Sequence, residues 1–247
     1  SSPIQIGSDT TWNHGSHGDN RSLAVKTDGT LWSWGYNAQG ALGHNNLTSY
    51  SSPVQIPGTT WATAYGSLYS SLNVQSAIKT DGTLWIWGYN TAQGILGQNY
   101  TSNARRSSPT QIASPSWNVP GTAPSSTTWK QIDLAPSNRA GAISTDGKLW
   151  SWGYNDNGEL GHNDRTNRSA PIQVGTDTTW ATVALGRWTT YGTKTDGTLW
   201  AWGKNEFGQL AHNTDGMSAV SSPTQIPGTT WTTNPALING EDRFALC

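Results

Sequence analysis

One eleven-residue phrase, Thr27-Asp28-Gly29-Thr30-Leu31-Trp32-Ser33-Trp34-Gly35-Tyr36-Asn37, returns with small changes from Thr80, Thr145 and Thr195. Its aspartates, Asp28, Asp81, Asp146 and Asp196, lie 53, 65 and 50 residues apart. A second phrase, Ser-Pro-x-Gln-Ile followed by Thr-Thr-Trp, recurs around Pro3, Pro53, Pro109, Pro171 and Pro223, with Trp12, Trp61, Trp129, Trp180 and Trp231 behind them. A chain built this way must stack near-identical units, because no single unit buries its apolar face alone.

Each unit reads as four short strands. The Thr-Thr-Trp run opens the first, and Ser22-Leu23-Ala24-Val25-Lys26 exemplifies the second. Thr-Asp-Gly makes a tight hairpin, in which Asp bonds its own backbone and Gly supplies φ > 0. Leu31-Trp32-Ser33-Trp34 alternates with period two as the third strand. The Pro-containing fourth strand suits an outer edge, where a missing N–H costs no ladder bond. No stretch of twelve residues carries capped helical periodicity. Charged residues are only 12% of the chain, and such polar composition needs another source of core. Tryptophan provides it: 15 Trp stand against 2 Phe, and the repeats absorb 13 of them, with Trp34, Trp87, Trp152 and Trp202 as the second Trp of each motif. Four antiparallel strands per unit predict an all-β propeller of four-stranded blades, about five of them encoded.

The pattern Asp-Gly-x-Leu-Trp-x-Trp-Gly-x-Asn-x-x-Gly-x-Leu-Gly resembles the regulator of chromosome condensation repeat over essentially the whole chain. The resemblance implies a propeller, commonly seven-bladed, and the wording is similar to bacterial and phage members. It also implies two departures. The His often found before the second strand is replaced by Arg21, Val74, Arg139, Thr189 and Arg243, and Ala211 stands where Gly43, Gly97 and Gly161 stand in the other copies. Residues 1–247 read as one propeller domain or a segment of one, with hairpins at 27–37, 80–90, 145–155 and 195–205. A partial last blade, 221–247, would be closed by residues 1–6. A five-bladed ring and five blades of a larger ring both fit, and the missing third strand of the last blade points to a longer polypeptide or a strand supplied from elsewhere.

Catalytic chemistry finds no residue set. No carboxylate pair is placed to divide acid and base work. His44, His162 and His212 share one repeat position, filled by Gln98 in the remaining copy, and equivalent positions on separate blades are too far apart for one metal ion. No enzyme activity, cofactor or metal is expected. The net charge of −1, without a basic patch, argues against a nucleic-acid partner. No window approaches the ~20 apolar residues of a membrane span.

Binding candidates are few. Arg21, Arg139 and Arg243 fall in register at first-to-second strand turns; they would either ring one face and capture an anionic or planar group, or each pack on a neighbouring Trp or bond loop carbonyls. The insertion between Pro109 and Trp129 carries the non-repeat Trp117, which either contacts a partner or staples its own loop. A second expansion holds Tyr65 and Tyr69, and Arg187 precedes the other non-repeat tryptophan, Trp188. Together these predict a non-enzymatic module on a virion or cell surface, outside the cell, binding a protein, a glycan or neighbouring subunits of an assembly. The resemblance implies an alternative, an intracellular regulator that exchanges nucleotide on a small GTPase or binds chromatin.

Overall fold

The computed structural model describes residues 2, 5, 7–112, 126–212 and 218–231. Among the described residues sixteen strands lie in four sheets of four. The first blade contains β1 (Trp12–Gly18), β2 (Arg21–Lys26), β3 (Leu31–Gly35) and β4 (Tyr50–Ile56). The second contains β5 (Leu68–Ser70), β6 (Val74–Ile78), β7 (Leu84–Asn90) and β8 (Ala104–Gln111). The third contains β9 (Trp129–Ala135), β10 (Arg139–Ser144), β11 (Leu149–Gly153) and β12 (Arg168–Gln173). The fourth contains β13 (Trp180–Leu185), β14 (Thr189–Lys194), β15 (Leu199–Gly203) and β16 (Val220–Ile226). Within each sheet the strands pair antiparallel in chain order. Contacts between blades run from the first and second strands of one blade, β1 and β2, β5 and β6, β9 and β10, to the first strand of the next, so the first strands lie innermost. This is a β-propeller architecture, as the repeat predicts.

The turn chemistry follows the sequence closely. Thr30 N and Oγ1 both donate to Asp28 Oδ1, at 2.9 and 2.7 Å, and Asp81 and Asp196 do the same for Thr83 and Thr198. Gly29 sits at φ 78°, where a side chain would be strained. In the third blade the hairpin Thr is Lys148, and Ser144 takes over the contact to Asp146 and to Trp150 Nε1. Every outer strand breaks register opposite the second motif Trp, and Pro53, Pro109, Pro171 and Pro223 all fall in that bulge. The proline therefore removes no ladder bond.

One boundary differs from expectation. A last blade beginning at residue 221 would cut β16, whose Ile226 pairs with Leu199; residues 220–226 complete the fourth blade. Hydrogen bonding to β15 makes the Pro-containing strand the last of the fourth blade, the place its repeat position gives it in the other units. The proposed closing strand 1–6 and the segment 232–247 lie outside the described residues.

Each blade is held by a tryptophan cluster. Trp12 packs edge-on against Trp32 and tilted against Trp34, at 6.0 and 6.2 Å, and Trp180 meets both Trp200 and Trp202 edge-on, at 6.2 and 6.0 Å. Lys26, Lys79 and Lys194 cover the first pair of rings in their blades, 3.9–4.1 Å from the motif Trp centroid. Blades are then joined by the second motif Trp. Trp87 Nε1 donates to Ala41 O at 2.8 Å, Trp152 Nε1 to Ile95 O at 2.7 Å, and Trp202 Nε1 to Glu159 O at 2.8 Å. Each acceptor lies in the Gly-x-Leu-Gly loop of the preceding blade. These three rings are fully buried, whereas Trp34 is only half-buried. Burying one such ring removes roughly 150–250 Å² from water, about 4–6 kcal/mol before entropic costs.

Candidate functional site

Two surfaces concentrate the chemistry left over by the fold: an axial cavity, and the face of the disc that carries the first-to-second strand turns.

The axial cavity has a volume of about 710 Å³ and is walled by β1, β5, β9 and β13. Its shape comes from how the first strands meet. Ser16, Tyr69 and Asp133 occupy one place in their blades, opposite Leu23, Ser76 and Gly141 of the second strands. From that place each reaches the next blade. Ser16 Oγ accepts Ser70 N at 3.0 Å, Tyr69 hydrogen-bonds Asp133, and Asp133 Oδ2 accepts Leu185 N at 2.7 Å. Two residues earlier, Gln131 pairs its amide with the backbone of Val183, accepting from Val183 N at 3.0 Å and donating to Val183 O at 2.8 Å. Burial pushes the Asp133 carboxyl up to about 7; the N–H groups of Leu185 and Leu134, the Tyr69 hydroxyl and the more distant Arg139 oppose the shift. Tyr65 is 48% exposed at the rim, with His14 at 6.0 Å and 31° to its ring.

The turn face repeats one arrangement. The residue after each TrpGly bonds the first turn of its blade: Tyr36 N to Asn20 O, Tyr89 N to Asn73 O, Tyr154 N to Asn138 O, and Lys204 N to Trp188 O. Three tyrosines thus border three asparagine turns, and the fourth blade substitutes Lys204 and Trp188. Trp188 leans on Tyr154 at 5.8 Å, and the Arg187 guanidinium stands 5.7 Å from the Trp188 ring. Arg105 lies 5.9 Å over Tyr89 and is held by Gln39 Oε1 at 3.2 Å.

The sequence-nominated residues separate accordingly. Tyr65 and Tyr69 come together in the axial cavity, and Arg187 and Trp188 come together on the turn face. Arg21 and Arg139 do not line an anion-binding ring. Both are buried, and each guanidinium is spent on carbonyls of the next blade: Arg21 on Ser71 and Leu72, and Arg139 on Gly186, Arg187 and Thr189 at 2.6–2.7 Å. The bare carbonyls of a tight turn attract the cation more than solvent does, since each would otherwise be buried without a donor. Arg243 and Trp117 lie outside the described residues. Trp34, Trp87, Trp152 and Trp202, with Asp28, Asp81, Asp146 and Asp196, serve the repeat itself. His44 and His162 each hold Nε2 at 2.9 Å from a serine of their own blade, Ser33 and Ser151, and burial pushes His162 down to about 4. Among the described residues no three His, Cys, Asp or Glu are grouped to hold a metal ion. Sequence reasoning missed Gln131, Asp133 and His14; the available signal was in β9, where Gln131 and Asp133 stand two residues apart and so share one face of the strand.

Comparison with known proteins adds the lineage. Residues 28–64, 146–191 and 196–233 match the regulator of chromosome condensation (RCC1) repeat, and residues 180–209 match a second description of it. The chain is similar to the mitochondrial RCC1 domain-containing protein RUG3 of Arabidopsis thaliana, 27% identical over 62% of this chain and 33% of that protein. It is also similar to the RCC2 homolog of Danio rerio, 41% identical over 58% of this chain and 26% of the relative. The chain thus spans well under half the length of these relatives. Among solved structures, Prp20p of Saccharomyces cerevisiae superposes with a TM-score of 0.73 at 19% identity, over 92% of this chain and 53% of that one. Human WBSCR16 gives 0.69 at 18%, over 92% and 56%. Repeat phrase, blade geometry and these matches agree: the chain belongs to the regulator of chromosome condensation (RCC1) repeat family.

Proposed function

We propose that this chain is a non-enzymatic binding module that engages its partner through the turn face. The observation that carries this is the aromatic row Tyr36, Tyr89, Tyr154 and Trp188, with Arg105 and Arg187 over two of its rings. Tyr36 is 49% exposed although the repeat would allow a polar residue there. Amphipathic rings topped by guanidinium groups are the side chains that dominate binding energy at protein interfaces, and their faces also stack on sugars. The partner is a protein or a glycan, or a neighbouring subunit of an assembly. Display outside the cell, on a virion or cell surface, is part of the same proposal; the low charge and Asn/Thr/Ser-rich loops support it.

Native material tests display directly, by mass determination and electron microscopy. The chain on the outside of a large particle or envelope is the expected result; a free 26.5 kDa monomer alone would remove it. Attachment to host cells or immobilised glycans should fall about tenfold or more in Trp188→Ala with Tyr154→Ala. Equal retention of parent and double variant would reject the turn face.

A second reading, small-GTPase exchange or chromatin binding, draws on relatives. Prp20p is described by its binding to Gsp1p and histones. Acceleration of nucleotide release from a small GTPase by this chain would favour that reading over display.

A further inference from the structure

We propose that the axial cavity is a binding site for an alkylammonium group, supplied by a free aliphatic amine or by a lysine side chain of a partner. The inference is independent of the turn face.

Four observations converge on a cation with N–H donors. First, the lining carries two carboxylates, Asp19 at an exposed turn and Asp133 in the wall, and no Lys or Arg. Second, Asp133 makes no ion pair among the described residues. Its contacts are two backbone N–H groups and the Tyr69 hydroxyl, and the Arg139 guanidinium is turned to the carbonyls of residues 186, 187 and 189. Third, the buried Nε2 of His14 has no hydrogen-bond partner among the described residues. Its Nδ1 is 2.7 Å from Asn13 Oδ1, an oxygen that only accepts, so the ring proton sits on Nδ1 and Nε2 is an unmet acceptor. Fourth, Tyr65, Tyr69 and His14 bring aromatic rings to the same wall, and Tyr65 leaves nearly half its surface open. Carboxylate plus ring faces is the combination that holds ammonium groups. An anion would meet two carboxylates and neither Lys nor Arg. A neutral polyol would find the Gln131 amide already committed on both sides to Val183.

Charge linkage supplies the signature. The groups facing Asp133 are Tyr69 from β5, Arg139 from β10 and the Leu185 N–H from β13, with His14, His17 and Asp19 across the cavity. Burial holds Asp133 protonated below about 7, and a bound ammonium favours the carboxylate. Affinity for the amine therefore rises with pH through that value and levels off above it.

The experiment is calorimetric titration of the folded chain with 1,5-diaminopentane, with 1,5-pentanediol, and with a short peptide carrying lysine or norleucine at its centre. Expected is saturable binding of an amine at about pH 8.5, weakened about 30-fold at about pH 5.5, and none of the diol or the norleucine peptide. Diamine binding alone identifies a free amine as ligand, and lysine-peptide binding alone identifies a partner's side chain; both support the site. Asp133→Asn should weaken amine binding at about pH 8.5 and flatten its pH dependence, leaving only what His14 and His17 contribute. Should that variant not fold, Asp19→Asn and Tyr65→Leu, both on exposed residues, should each lower affinity several-fold with the melting temperature unchanged. Equal binding of diol and diamine, no binding of any amine, undiminished binding in folded Asp133→Asn, or no loss in both Asp19→Asn and Tyr65→Leu would overturn the proposal.

Discussion

A Cβ added to Gly43, Gly97 or Gly161 would stand 2.8–2.9 Å from the indole nitrogen of Trp87, Trp152 or Trp202 on the following blade. These glycines also adopt φ of 62–80°. The two requirements coincide, so Gly97→Ala is expected to cost about 2–3 kcal/mol in denaturant unfolding, by strain and by pushing off the Trp152 donor. Ala211 holds the same place in the fourth copy at φ 53°. Ala211→Gly relieves its backbone and should stabilise by up to about 1 kcal/mol, read from the same midpoint shift. Buried asparagines organise the long loops. Asn155 Oδ1 accepts Leu160 N at 2.8 Å while its Nδ2 serves Asp164 O and Thr166 O. Asn155→Ala strands those groups and should cost about 2–4 kcal/mol, measured by thermal unfolding.

At the scale of strands and turns, what the sequence discloses is whatever recurs. The hairpin aspartates, the outer-edge prolines and the core tryptophans are legible in the sequence because four copies agree on each, whereas the bulge that holds each proline is seen only in the strand register. The buried roles of Arg21 and Arg139 were one of two open readings, since register does not say whether a guanidinium points to solvent or to the next turn. Gln131 and Asp133 were silent for the opposite reason: they are departures from the repeat, meaningful only once β9 is seen beside β13. Arg139 shows what such a link contributes. Its pKa is pushed down to about 10 by burial, yet it stays charged at neutral pH and binds three carbonyls around the β13–β14 turn. Arg139→Met should lower stability by about 2–4 kcal/mol and speed amide exchange at residues 186–189 ahead of the β14–β15 ladder. Uniform acceleration across the fourth blade would contradict this local role.

For the molecule as a whole, stability is a series of blade cores and blade-to-blade joints, each confined to neighbours. Asp133 sits at one joint and couples it to pH. Its folded pKa of about 7 exceeds the model-peptide value of 3.8, so the fold favours the protonated form. That contribution is complete below about pH 4 and declines as pH rises to about 7. The unfolding free energy of the parent minus that of Asp133→Asn should slope downward across this window, a difference in which the opposite, upward slope from half-buried His162 cancels. The Trp-to-carbonyl joint has a further consequence. At each of the three described seams an indole donor meets a loop carbonyl of the blade before it, so this joint is made each time from the same two halves. Units of this kind are interchangeable parts. An in-frame duplication or deletion of one whole unit leaves each remaining plug facing a matching socket, so a gene encoding such a chain can change its length in steps of one blade and disturb only links, such as Gln131 to Val183, that a single seam carries.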